Sequence, residues 1–392
     1  MRTAPYGSWK SPITSDWIVA DTIILSQPVA TGDEIYWVEL RPSEKGRAVL
    51  VRRGQDGRAV DLTPAPFSPR TRVNEYGGGS FVAGEGVIYF SNDADQRLYA
   101  LERDGAPRPI TPEGKMRYAD GVLDRRRGRI LCVREDHNVV GTQAETTIVA
   151  VDVNGGSEGT VLVSGNDFYS SPRLSPDGST LAWLAWNHPN MPWDGTELML
   201  ADVAADGSLA RVRRVAGAID ESIFQPEWSP EGALHWISDR TGWWNLYRFD
   251  SGRVEALTSL EAEFGRAQWL FGMSTYGFES AGRIVCVYCE RGIWRLATLD
   301  TETLALEPVP VPYTEIRHLC AAPGRAIFLA GSPTEAEALL EFDLASRRLT
   351  AIRRSSRLEV DHGYVSAAEP IEFPTARGLT AHALYYAPKN SD

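Results

Sequence analysis

The apolar positions of this chain recur as short runs at period two, broken by turn residues, and the runs come in repeating sets. The clearest set is Phe168 to Trp186, FYSSPRLSPDGSTLAWLAW, which predicts a strand, a Pro-Asp-Gly turn at 176–178 and a second strand. Leu181, Trp183 and Ala185 share one face of that second strand. An Asp-Gly turn between two apolar runs is a strong hairpin signal, because glycine takes positive φ without steric cost. Residues 223–239, IFQPEWSPEGALHWISD, repeat the phrase almost word for word.

Aligned on the second strand, the phrase occurs seven times, starting at Ile35, Ile88, Ile130, Leu181, Leu234, Ile284 and Ala326. A glycine stands just upstream of each start (Gly32, Gly86, Gly128, Gly178, Gly232, Gly282, Gly324). A third apolar run follows every copy, from Ala48, Leu98, Ile148, Leu198, Leu246, Ile293 and Leu339. A fourth, more polar run follows several of them, after Ala59, Arg108, Arg253 and Arg348. Four short strands in each interval of 42 to 53 residues is the period of a propeller blade. The expected fold is therefore all-β, a seven-bladed β-propeller of four-stranded antiparallel blades. A β-sandwich is the competing all-β reading, but it does not return one four-strand phrase seven times. Each blade takes its strands from contiguous sequence, so the ring is expected to close by packing, without a strand shared between first and last blades.

Composition narrows the function. Apolar residues make up 43% of the 392, enough for a large core, and the 12 Trp suit wedge-shaped gaps between blades. A net charge of −12 argues against a nucleic-acid partner, which would require a basic face. No stretch has the length and apolarity of a membrane span, and the N-terminus lacks the apolar segment of a signal peptide. Of the four cysteines, Cys286 and Cys289 form a C-x-x-C, but on a strand such positions point to opposite faces, so free thiols are expected. The implied compartment is cytoplasmic.

The ends and one loop depart from the repeat. Residues 1–21 precede the first blade as a short strand or helical turn outside the ring, and 22–354 form the propeller. In 355–392 the pattern changes to two short strands around Gly378, which do not complete an eighth blade. Between blades one and two lies PAPFSPRTRVNEYGGGSF, stiffened by Pro64, Pro66 and Pro69 and then loosened by Gly77, Gly78 and Gly79. Three such glycines are costly in a mere linker, so this loop is expected near the central axis, on the face where the chain leaves the ring.

These segments carry a family resemblance. APYGSWKSPITSD at the start, RVNEYGGGSF after blade one, the SPDG-type turns and IEFPTARGLTAHALYYAPKN at the end resemble the N-terminal part of bacterial prolyl oligopeptidase-family serine peptidases. The likeness is greatest to the acylaminoacyl-peptidase and dipeptidyl-aminopeptidase-like branch. It implies that residues 1–21 pack on an α/β-hydrolase domain and that 355–392 link to it and supply its first hairpin. That domain would be the propeller's partner in cis, and short peptides the substrates.

The chemistry itself lies outside this sequence. There is no G-x-S-x-G nucleophile elbow; the nearest segment, 272–277, has the wrong spacing. The six histidines are scattered, and no set is ordered as a Ser–Asp–His triad. No catalytic residue, metal site or cofactor is therefore assigned. Candidate substrate- or domain-contacting residues are Arg72, Asn74, Glu75 and Tyr76; Glu75 is suited to a substrate N-terminus and Arg72 to a carboxylate or carbonyl. The rival readings are a stand-alone TolB-like propeller serving as a binding scaffold and a metal-dependent propeller enzyme. The tail hairpin favours the peptidase, since a scaffold has no use for it. The chain by itself should not hydrolyse aminoacyl- or acetylaminoacyl-nitroanilides; turnover sensitive to a serine-directed inhibitor would contradict this.

Overall fold

Seven sheets of four antiparallel strands follow one another along the chain, each built from contiguous sequence. The computed structural model describes residues 3, 5, 7–20, 22–84, 86–138 and 143–390. The blades span residues 24–61, 81–109, 116–163, 168–217, 223–256, 276–309 and 315–354. The aligned second strands lie at Glu34–Arg41, Val87–Ser91, Arg129–Asp136, Thr180–Trp186, Leu234–Ser238, Arg283–Glu290 and Arg325–Ser332. A fourth strand completes every blade, including Thr160–Val163, Leu209–Gly217 and Leu306–Val309, which the pattern alone does not single out. These outer strands pack on one side only, so their alternation is diluted by exposed polar residues.

The core is divided. Seven buried apolar clusters fill the seven gaps between neighbouring blades. Each second strand serves two gaps: Leu181, Trp183 and Ala185 of blade four face blade three, while Ala182 and Leu184 face blade five. That is why the second strands read as continuous apolar runs. Trp37, Trp183 and Trp236 are fully buried, and each faces the preceding blade.

In Trp37 the preceding blade is the last one, so this residue helps close the ring. Leu25, Ile35, Trp37, Val49 and Val51 of blade one pack on Ile327, Leu329 and Leu339 of blade seven. Beside them the buried Glu39 carboxylate accepts from the Trp37 indole at 3.1 Å and from the Arg353 guanidinium of blade seven at 2.7 Å. Among the described residues no strand is shared between first and last blades; an isolated bridge, Thr22 to Ser356, joins the chain's entry and exit.

Strand polarity sets the two faces of the ring. Each first strand runs away from the face at which the chain enters, and each fourth strand returns to it. The N-terminal segment and the tail therefore share one face, here the entry face. The segment before blade one holds a helical turn, Ser15–Val19, capped by the Thr14 hydroxyl on the Trp17 amide. The tail forms a hairpin, Ala368–Pro374 with Thr380–Tyr386, whose Ile371, Phe373, Leu384, Tyr385 and Tyr386 are exposed. All four cysteines are free, but only Cys132 and Cys286 are fully buried; Cys289 and Cys320 are partly accessible.

Near the axis the first strands share a defect. In blades one, three, four, five and seven the register slips by a bulge, at Gln27, Asp120, Ser171, Gln225 and His318, each with positive φ. The bulge turns side chains toward the next blade. Gln27 accepts from the Ser80 amide at 2.8 Å, Asp120 from the Ser171 amide at 2.6 Å, and Gln225 from the Thr275 amide at 2.7 Å.

Two outcomes follow for stability. Trp37→Ala leaves a large cavity at the seam and should lower the unfolding free energy by about 3–5 kcal/mol, measured by denaturant titration. Burial lowers the His235 pKa to about 4 and that of His318 to about 3. The unfolded chain therefore takes up protons on these groups that the folded ring refuses, and stability should decline as pH falls from about 6.5 toward 4. Replacing His235 with Asn should flatten that decline in thermal melts recorded across the range; an unchanged slope would exclude it as a source.

Candidate functional site

The loop between blades one and two is built around left-handed backbone. Asn74 and Glu75 have φ of 53° and 61°, and Gly77, Gly78 and Gly79 follow at 71°, 90° and 54°. Two non-glycine residues in this region store strain on the order of 1–3 kcal/mol each, so the surroundings must hold them. The Gly77 amide donates to the Val73 carbonyl at 3.0 Å, and the Asn74 amide donates to the Glu135 carboxylate of blade three at 2.8 Å. Val73 itself is buried in the gap between blades three and four.

A cavity of about 580 Å³ opens beside this loop on the entry face. Its floor and walls come from the start of first strands (Arg117, Phe168), the end of second strands (Glu135, Trp186) and the loop between blades five and six (Gln268 to Phe271). The lining is acidic, with Glu75, Glu135, Glu145 and Asp167 against a single guanidinium, Arg117. Arg117 donates to Glu75 at 2.8 Å and lies 3.7 Å from Glu135, which also contacts His137 at 2.9 Å. This guanidinium holds the Glu75 carboxyl below the usual carboxylate range. Two amide oxygens on the lining, Asn74 Oδ1 and Gln268 Oε1, are buried without a donor.

The same lining is rich in aromatic rings. Trp269 stands 4.5 Å from Trp193 and meets the Tyr76 ring edge-on at 5.5 Å. Phe168 stacks on Trp186 at 5.4 Å, the two being opposite one another in the ladder of blade four. Carboxylates and aromatic rings lining one cavity form a site suited to an organic cation.

Of the residues singled out from sequence, Asn74, Glu75 and Tyr76 line this cavity. Arg72 does not: its guanidinium turns to Asp93 of blade two at 3.1 Å, and its carbonyl accepts from Arg117. Arg72 and Glu75 thus each pair with a different blade, Arg72 with blade two and Glu75 with blade three. Sequence reasoning missed Arg117, Glu135, Gln268, Trp193 and Trp269. The first two sit within ordinary strands, and the last three in loops of no distinctive composition. Among the described residues, no cluster of three or more His, Cys, Asp or Glu is arranged to hold a metal, and no helix is long and apolar enough to cross a membrane.

No protein-family model matches the chain, and neither does any curated protein. Solved structures do. A puromycin-hydrolysing peptidase of Mycobacterium tuberculosis superposes on 100% of this chain with a TM-score of 0.93 and 35% identity. A puromycin hydrolase superposes with a TM-score of 0.92 and 37% identity, again over the whole chain. The chain spans 63% of the length of each. Prolyl oligopeptidase B of Galerina marginata, at 11% identity and a TM-score of 0.68, shares the fold. Identity along its full length, together with the seven-bladed ring, makes this chain similar to the propeller-bearing part of these puromycin-hydrolysing peptidases, and its fold is the one found in prolyl oligopeptidases.

Proposed function

We propose that this chain is the non-catalytic propeller of a serine peptidase acting on short peptides or aminoacyl amides with a free amino group. The observation that carries the reading is the entry-face cavity. Its carboxylates outnumber its cations, and its two buried amide oxygens lack donors. A primary ammonium supplies three N–H donors and one positive charge, and so answers both deficits. An N-acylated terminus brings one N–H and no charge, which favours the aminopeptidase-like branch over acylaminoacyl cleavage.

In this reading residues 1–21 and 355–392 belong with an α/β-hydrolase domain seated on the entry face. The exposed apolar side chains of the tail hairpin would be covered by the rest of that domain's sheet. The hydrolase supplies nucleophile, base and oxyanion donors, while the propeller docks it, limits access and fixes the substrate amine. Glu75, already held in place by Arg117, is the carboxylate presented to that amine, and Glu135 lies behind it.

The test uses the polypeptide that includes the hydrolase domain. Glu75→Gln should reduce kcat/KM for a free-amine aminoacyl-nitroanilide, and for puromycin, by about tenfold, or ~1.4 kcal/mol of transition-state binding. The N-acetylated analogue should be a poor substrate for both proteins and nearly indifferent to the change, with the melting temperature unaltered. Equal loss on both substrates, or a large fall in melting temperature with unchanged kinetics, would refute the assignment.

A further inference from the structure

The three glycines of the blade one–two loop lie where two loops from opposite sides of the ring meet. Gly78 pairs with Phe271 in an isolated parallel bridge, and the Phe271 amide donates to the Gly77 carbonyl at 3.0 Å. Phe271 belongs to the connection between blades five and six, so the contact crosses the ring. The approach is close enough to require glycine. A Cβ on Gly78 would lie 2.3 Å from the Phe271 carbonyl oxygen, and one on Gly79 would lie 2.9 Å from the Asp120 backbone.

The crossing is fastened to blades around the ring. Ser80 donates to Gln27 of blade one at 2.8 Å, and the Asp120 amide of blade three donates to the Gly79 carbonyl at 2.9 Å. On the other side, Arg266 donates to the Ile316 carbonyl of blade seven at 2.8 Å, and the Leu319 amide donates to Ser274 at 3.2 Å. Val73 and Phe271 are buried beneath it.

Two cavities lie on either side of the crossing. The acidic and aromatic one, about 580 Å³, reaches Gly77, Leu270 and Phe271. The second, about 460 Å³, reaches Gly79, Gly272 and Ser274 and is lined by first-strand residues from all seven blades, including Gln27, Asp120, Arg173, Gln225 and Cys320. It is the axial channel, open at the far face through the turns that carry Pro176 and Pro230.

We propose that the paired loops form a strap that seals the axial channel, so that the entry-face cavity is blind at its axial end and substrate enters laterally, between propeller and catalytic domain. This rests on the reading of the chain as a peptidase propeller. It makes the strap a specificity element: the wall beside Glu75 leaves a bound amine no passage for further residues threaded down the axis.

The strap is tested first on this chain alone. By hydrogen–deuterium exchange the amides of Phe271 and Asp120 should be protected as strongly as those of the inner strands, and Gly78→Val should abolish that protection at Phe271. Exchange at Phe271 as fast as in exposed turns would overturn the strap whatever the enzyme's substrate. Lateral entry is tested on the polypeptide with its hydrolase domain, carrying Pro176→Cys and Pro230→Cys at the far mouth. Coupling a 5 kDa polymer through reducible disulfides should leave turnover of any accepted nitroanilide within twofold, with the unsubstituted protein treated in parallel as control. A tenfold or greater loss, restored by reductant, would show axial entry and refute the proposal. Failure to turn over any free-amine substrate would instead refute the functional reading, leaving the exchange result to stand.

Discussion

Seven strands converging on one axis cannot all remain regular, and the rest of this structure answers to that crowding. The first strand of most blades relieves it with a bulge, at Gln27, Asp120, Ser171, Gln225 and His318. A bulge interrupts the ladder and re-aims the side chain at that position. At Gln27, Asp120 and Gln225 the side-chain oxygen accepts from a backbone amide at the start of the next blade, so relief of local crowding becomes a bond between sheets. At the far face arginines play the corresponding part: Arg127 donates to the Ala204 carbonyl, and Arg248 to that of Thr301, each one blade onward.

The same geometry divides the hydrophobic driving force. Every gap holds its own cluster, while the axial channel is lined by first-strand residues such as Gln27, Asp120, Arg173 and Gln225. The centre is therefore available for loops and polar side chains, and it is there that the strap and the acidic cavity are found. The site is a product of that division of the core.

How much of this was legible in the sequence depends on where a residue sits. The second and third strands bury both faces, so their apolar runs locate the blades almost to the residue; Ile35, Ile130 and Ile284 each fall within one residue of the strand's start. Outer strands such as Leu209–Gly217, with Arg211, Arg213 and Arg214 facing solvent, leave little apolar signal. The bulges are hidden because Gln27 or Asp120 within an apolar strand resembles an ordinary polar interruption. At the site, composition exposed one loop and concealed the other. RVNEYGGGS stands out because its backbone must pass within van der Waals reach of Phe271 and Asp120, a demand that only glycine meets. The loop it meets supplies side chains, and Trp269 or Gln268 requires no unusual residue on either side.

The adjoining entry and exit of the ring bear on modularity. The Ile23 amide donates to the Ser355 carbonyl at 2.8 Å, so a body of more than three hundred residues begins and ends at one point. An insertion of that kind leaves its host's path almost undisturbed, as a detour that returns to where it departed. The propeller is in this sense a cassette: two cuts, beside Thr22 and Ser356, would release it whole, and a short turn would suffice to rejoin the flanking chain. Such a unit can be removed or exchanged as one block, with the path of the flanking chain preserved.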